Sequence, residues 1–197
     1  RTLIAGETNA TDCSGEALDL AQELLREGKQ VVLIDWATSG QGFARAAGIQ
    51  AQPGIVDLIG GDASFEDVIQ SVPGSQAHVI AAGSGLDLDG PADQLDAERL
   101  NLLLDALDEA YDHIIVVGAY EDARLLFETV QGRFDAGVTV GEARRKSAAL
   151  QDPPGTFLGF EVTDIVLIRF ARGEGKATPA QRFVRRGVPS QIEMQPR

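Results

Sequence analysis

An α/β fold, a mostly parallel sheet with helices on both faces, follows from three features of this chain. Short aliphatic runs alternate with amphipathic segments, the order that parallel crossovers require. The runs Val31-Val32-Leu33-Ile34 and Ile114-Ile115-Val116-Val117 are continuously apolar, as strands buried on both faces are, and Ile165-Val166-Leu167-Ile168 supplies a further apolar run for the last strand. Residues 1–35 alone already spell strand, loop, helix, strand.

Taken in order, Thr2-Leu3-Ile4-Ala5 predicts the first strand, ended by Gly6. A loop of small polar residues, Glu7 to Gly15, precedes a helix with Ala17, Leu18, Leu20, Ala21, Leu24 and Leu25 on one side. Gly28 closes that helix. Val31–Ile34 is the second strand; Phe43–Ala47 and Ile55–Ile59 read as short helices. Ser64, with acids following in the first turn, is a predicted cap for a helix over Phe65–Ile69. His78–Ala81 is a strand, Ala97–Ala110 an amphipathic helix and Ile114–Val117 a strand. Ala123–Val130 reads as a helix, Ala136–Val140 as a weak strand, Ser147–Gly155 as a loop and Asp164–Phe170 as the last strand. These place one domain over residues 1–170. Residues 171–197, rich in Gly, Pro, Arg and Gln, are expected to form a loosely packed basic tail.

Composition narrows the function. The chain has 197 residues, 44% hydrophobic and 24% charged, the profile of a globular protein with a core large enough to need no staples. Seventeen basic against 30 acidic residues leave a net charge of −13, which repels nucleic-acid phosphates and anionic lipid. One cysteine, Cys13, excludes an intrachain disulfide, and with only two histidines there is little material for a transition-metal site. No apolar stretch is long enough to span a bilayer, and no signal-peptide pattern is present. The chain begins at arginine, so a fragment of a longer protein is expected.

In such a sheet ligands bind at the carboxyl ends of strands, where a turn opens a helix. The Glu7–Gly15 loop holds that place, and its spacing is that of a phosphate-binding loop. Four further stretches carry a family resemblance: Ala17-Leu18-Asp19-Leu20-Ala21; Gly28-Lys29-Gln30-Val31-Val32-Leu33-Ile34-Asp35; the run Pro53-Gly54-Ile55-Val56-Asp57-Leu58-Ile59-Gly60-Gly61-Asp62-Ala63-Ser64-Phe65-Glu66-Asp67-Val68-Ile69; and Tyr111-Asp112-His113-Ile114-Ile115-Val116-Val117. Over residues 2–170 the chain resembles the cytoplasmic P-loop domain of the bacterial tyrosine kinases attached to polysaccharide chain-length regulators, in the same group as the partitioning ATPases. The resemblance implies a P-loop NTPase-like sheet, a magnesium–nucleotide site and a tyrosine-bearing tail.

The catalytic positions depart from that pattern. Anchored on the helix, the resemblance puts Cys13 where the phosphate-binding lysine belongs, Asp12 and Ala10 where glycines belong, and leaves Ser14 as the magnesium-type hydroxyl. No lysine occurs between Glu7 and Glu27. The second motif reads Asp35-Trp36-Ala37-Thr38-Ser39, keeping only its first acid, Asp35; Val117, followed by Gly118-Ala119-Tyr120, replaces the aspartate of the third. Asp12 adds an anion beside any phosphate, a repulsion of about 4 kcal/mol at 4 Å in a partly screened site. The tyrosines, Tyr111 and Tyr120, lie outside the tail.

For single residues two interpretations stand side by side. Cys13 is either a thiol activated at a helix N-terminus or a plain replacement. Asp35 is either a metal ligand or a strand-end cap, and Trp36 either stacks on a base or packs. His78 and His113 begin strands as polar edge residues. The acids Asp87, Asp89, Asp93 and Asp96 resemble a calcium loop in composition but lack its spacing. Arg144, Arg145 and Lys146, with Arg169, Arg172, Lys176, Arg182, Arg185 and Arg186, make the C-terminal part basic: a solvated tail, or a surface for a partner or membrane.

The expectation is a non-catalytic domain, without catalytic residues, cofactor or metal, with a vestigial phosphate loop at Asp12, Cys13 and Ser14 and a vestigial acidic motif at Asp35. It would serve exopolysaccharide biosynthesis or transport in chain-length control, through self-association and contact with the synthesis and export machinery. By the same resemblance it would lie on the cytoplasmic side of the bacterial inner membrane, anchored only through a missing N-terminal part, without nucleic acid. The alternative is a divergent ATP-binding tyrosine kinase or partitioning-type ATPase.

Overall fold

In a computed structural model the described residues are 1–36, 43–83, 97–130, 132–142 and 155–172. Six strands run parallel; five of them form a continuous block: β1 (Thr2–Gly6), β2 (Val31–Asp35), β4 (His78–Ile80), β5 (His113–Gly118) and β6 (Ala136–Glu142). With β3 (Ile69–Ser71) and β9 (Val166–Arg172) they form a seven-stranded sheet in the order β3-β4-β2-β5-β1-β6-β9. Only β3 runs antiparallel, along β4. Register is set in the middle of the sheet, where Leu3 lies beside Val116 on one side and Gly137 on the other, and Leu33 beside Ile115.

Side-chain alternation along these strands feeds two cores. Leu3, Ala5, Val32, Ile34, Ile114 and Val116 face α3 (Ile55–Gly60), α5 (Ala97–Ala110) and α6 (Tyr120–Thr129). Ile4, Val31, Leu33, Ile115 and Val117 face α1 (Ser14–Arg26) and α2 (Phe43–Ala47). A period of two with both faces apolar is why these strands read as unbroken aliphatic runs. The α/β class is as the sequence predicts.

Several elements differ from expectation. The helix from Phe65 stops at Val68, and Ile69–Ser71 turns into β3. Ser64 does open α4 (Phe65–Val68): its N–H and Oγ–H both donate to Asp67 Oδ2, at 2.9 and 2.6 Å. The helix expected from Ala123 starts three residues earlier, at Tyr120. A small hairpin, β7 (Thr156–Phe157) and β8 (Phe160–Glu161), has no counterpart in the sequence reading. It seats Phe157 against β6, where a Cβ on Gly137 would come within 2.9 Å of the ring. The last strand starts at Val166 and runs to Arg172, two residues past the expected boundary, paired with β6 throughout. The acids of residues 87–96, the cluster Arg144-Arg145-Lys146, the Pro153-Pro154 loop and the tail from residue 173 lie outside the described residues.

Candidate functional site

The carboxyl ends of β1, β2 and β5 form one rim. Because α1 and α6 leave β1 and β5 toward opposite faces, this rim is the crevice where doubly wound sheets bind ligands. The loop from Glu7 to Cys13 occupies it and lies tight against β1. Thr11 N–H donates to the Thr8 carbonyl at 3.0 Å, closing a turn, and the two threonine hydroxyls pair at 3.0 Å. A Cβ on Gly6 would lie 2.7 Å from the Thr11 carbonyl oxygen and 2.8 Å from that of Thr8, so glycine there lets the turn fold down. Asn9 Oδ1 accepts Glu121 N–H at 2.9 Å, tying the loop to the first turn of α6.

Asp12, Cys13 and Ser14 stand together where α1 begins. Asp12 Oδ1 accepts Ser14 N–H at 2.9 Å and Ser14 Oγ–H at 2.5 Å. A carboxylate of the chain itself therefore takes one backbone donor, Ser14 N–H, at the positive end of α1, the end that in this architecture would meet a phosphate. The same contact engages the Ser14 hydroxyl, the group resembling a magnesium ligand. Cys13, 3% exposed, packs in the core on the α1 side. Burial, then Glu16 and Asp12 against the opposing Arg172, push its thiol up to about 12. The activated-thiol interpretation is therefore corrected: desolvation outweighs the helix terminus, and Cys13 is a neutral packing residue.

Asp35 ends β2 at 4% exposure, two strands from β1, with Val117 of β5 beside it. Val117 is buried among apolar residues of the α1-side core and brings no charge. Trp36 is also buried, in the opposite core beside Ile55, Leu100 and Leu104, and its backbone N–H donates to the Val117 carbonyl at 2.7 Å. It packs; it is not placed to stack on a base. Its partners in the second motif, Ala37, Thr38 and Ser39, lie outside the described residues. His78 and His113 begin β4 and β5, with Nδ1 of His78 2.7 Å from the Tyr111 hydroxyl and Nε2 of His113 2.9 Å from Thr2 Oγ1. Among the described residues no three His, Cys, Asp or Glu side chains gather as a metal site, and no helix is long and apolar enough to cross a membrane.

Two groups at this rim escaped the sequence reading. Glu7 is 6% exposed, and its Oε1 has no hydrogen-bond partner among the described residues. Arg172, assigned to a solvated basic tail, is instead the last residue of β9 and reaches the loop. Its Nε and Nη2 donate to Glu16 Oε1 and Oε2, both at 2.6 Å, and Nη2 also donates to the Asp12 carbonyl. This bidentate pair sets a cation where the loop has no lysine, but an acid of α1 already holds it. With Glu7, Asp12 and Glu16 against Arg172, the charges on this rim oppose a polyphosphate.

The run from Pro53 to Val68 shapes backbone. Ile55 N–H and Val56 N–H donate to the carbonyls of Ala81 and Ala82 at the end of β4, at 2.8 and 3.2 Å. Asp57 Oδ2 accepts Gly54 N–H at 2.7 Å. That approach requires glycine, since a Cβ on Gly54 would lie 2.3 Å from the Ala81 carbonyl oxygen.

No family model matches the chain. Over 114 residues, 57% of its length, it is 28% identical to a tyrosine-protein kinase, ptk, of Acinetobacter johnsonii, of which it spans 15%. The kinase domain of the Escherichia coli tyrosine kinase ETK superposes with a TM-score of 0.65 at 19% identity, covering 76% of this chain and 58% of that one. The septum site-determining protein MinD of Pyrococcus horikoshii, solved with Mg-ADP, superposes with a TM-score of 0.53 at 17% identity, covering 72% and 58%. In sequence and in fold, the chain resembles the P-loop domains of the bacterial tyrosine-kinase and polysaccharide chain-length-regulator family.

Proposed function

We propose that this chain is a non-catalytic P-loop domain of an exopolysaccharide biosynthesis or transport protein that acts in chain-length control by self-association and by contact with the synthesis and export machinery. The observation that carries the non-catalytic part is the occupied start of α1: Asp12 caps it, Ser14 is spent on Asp12, and a buried neutral thiol stands at the lysine position. Phosphoryl transfer works by positioning and charge stabilisation, with metal, cation and backbone donors acting together. Here the donor is taken, the cation is paired and the third acid is Val117. The polysaccharide role rests on the family resemblance, as do attachment to the inner membrane through a further segment and action on its cytoplasmic side. Nucleic acid is not a partner in this proposal, given the net charge of −13.

A ligand that binds the folded state raises its stability with concentration over dissociation constant. Millimolar Mg-ATP is expected to leave the melting temperature unchanged, with no heat in a calorimetric titration and no change of mass in light scattering. The isolated domain is expected to be a monomer or weak dimer, oligomers forming only when membrane anchoring raises the effective concentration. A rise of several degrees, or an ATP-dependent ring, would instead establish the second reading, a divergent ATP-binding kinase or partitioning-type ATPase. That reading is favoured by the fold shared with MinD.

A further inference from the structure

The fork between Arg172 and Glu16 joins residues 156 apart in sequence, and it does so at the one place where the loop meets α1. Glu16 lies in the first turn of α1, two residues past the start of the helix, and Arg172 closes the edge strand β9. The guanidinium also takes the Asp12 carbonyl, the peptide unit immediately before Cys13. Beneath that peptide the thiol is sealed: Cys13 Sγ lies 3.7 Å from the Thr11 carbonyl and packs with the α1-side core. Among the described residues the loop is held from outside by Glu7 N–H on the Val140 carbonyl, by Asn9 on α6 and by the Arg172 guanidinium of this fork. The pair is only partly exposed, 35% for the Arg172 side chain and 18% for Glu16, and both carboxylate oxygens are engaged, the geometry in which an ion pair fixes position.

We propose that Arg172 and Glu16 form a latch that holds the vestigial phosphate loop down on β1, so that the loop is closed by the chain's own charges and opens as a local event, separately from global unfolding. The latch joins the end of β9 to the start of α1, so release at either end frees the other. It does not depend on the proposed role in polysaccharide export, since it concerns only residues within this chain.

Cys13 is the sole cysteine, so its alkylation reports one site, and a pH series in each variant separates loop opening from a changed thiol charge, to which Glu16 and Arg172 both contribute. Iodoacetamide labelling at pH 8 is compared in the wild type, Arg172→Ala, Arg172→Lys, Glu16→Gln and, as a control, Arg124→Ala, whose guanidinium lies over the Phe160 ring far along the chain. Each is measured across low urea concentrations, together with its global unfolding curve. Local opening labels at a rate independent of urea; labelling through global unfolding rises with it. Arg172→Ala and Glu16→Gln are expected to speed urea-independent labelling about tenfold or more, the effect of losing one charge-assisted pair. Arg172→Lys, which keeps the charge without the fork, should fall between, and Arg124→Ala should label as the wild type does. Wild-type labelling rates in both latch variants, or acceleration seen only through global unfolding, overturns the proposal. Should Arg172→Ala fail to fold, the isosteric Glu16→Gln decides alone.

Discussion

Before α3, the backbone of Gly54 lies against the end of β4 so closely that no side chain fits between them, and Asp57 holds the Gly54 N–H from inside the helix. Before α1, a tight turn lies against β1 in the same way at Gly6, but the charges around it are Asp12, Glu16 and Arg172, locked to one another. The first region is held by backbone meeting backbone; the second has a tight turn and no lysine, with its charges paired among themselves. The difference separates two kinds of constraint. Residues that let backbones meet are held by packing, which every copy of the fold needs. Residues that neutralise a ligand are held only by the ligand, and can be exchanged for internal pairs once it is gone.

The sharpest way to break this comparison is the same substitution in both regions. Gly54→Ala should cost about 3 kcal/mol in urea unfolding, because the added carbon meets backbone that cannot move aside. Gly15→Ala, in the first turn of α1 with open space around it, should be neutral or stabilise by about 0.5 kcal/mol. Equal effects at the two sites would mean that the region around Gly54 is not the rigid one.

Next in size is Cys13→Lys. Putting the lysine back places a charge at a buried position and should lower stability by about 2 kcal/mol. It should restore no ATP turnover above a control lacking both Cys13 and Ser14 side chains, since Asp12 and Val117 remain. Turnover in the single variant would show that the loop is still a phosphate site.

The smallest effect concerns the strand that separates the two regions. His113, at the start of β5, titrates below its ordinary value of 6.5 because of burial. Its unfolded form therefore binds more protons between the folded value and 6.5. The stability it contributes is complete above 6.5 and declines as pH falls through that window. His113→Gln should flatten this part of the stability–pH curve between pH 7 and 5, measured by urea unfolding at each pH.

Much of the fold was legible in the sequence because its central strands are buried on both faces. Val31–Ile34 and Ile114–Val117 have no polar residue to blur their limits, and Ala97–Ala110 carries its leucines at helical spacing. What was lost lies where local signal is weak. Ile69–Ser71 pairs through only three residues on an edge and follows an acidic helical turn, so its extended part looked like more helix. The β7–β8 hairpin turns through Leu158 at φ 53° and Gly159 at φ 83°, and a leucine carries no turn signal. At the site, Asp12, Cys13, Ser14 and Asp35 were found from spacing, whereas Arg172 was not. Nothing near residue 172 says that its partner is Glu16; only the sheet order brings β9 round to α1.

The position of β1 has a consequence for how the chain is born. Thr2–Gly6 is made well before β5 and β6, yet it sits between them, with Thr2 beside Ile115 and Ala136. During synthesis it must wait for over half the chain to emerge, on the order of ten seconds at ordinary ribosome speeds. The other early strands β2, β3 and β4 can assemble meanwhile, but the middle of the sheet stays open. A bare apolar strand with two unpaired edges is the kind of segment that captures the wrong partner. The early, fully buried sequence Leu3-Ile4-Ala5 is therefore where a folding helper would be needed most. A version of the gene permuted to begin at β2 would test how much of the yield depends on that wait.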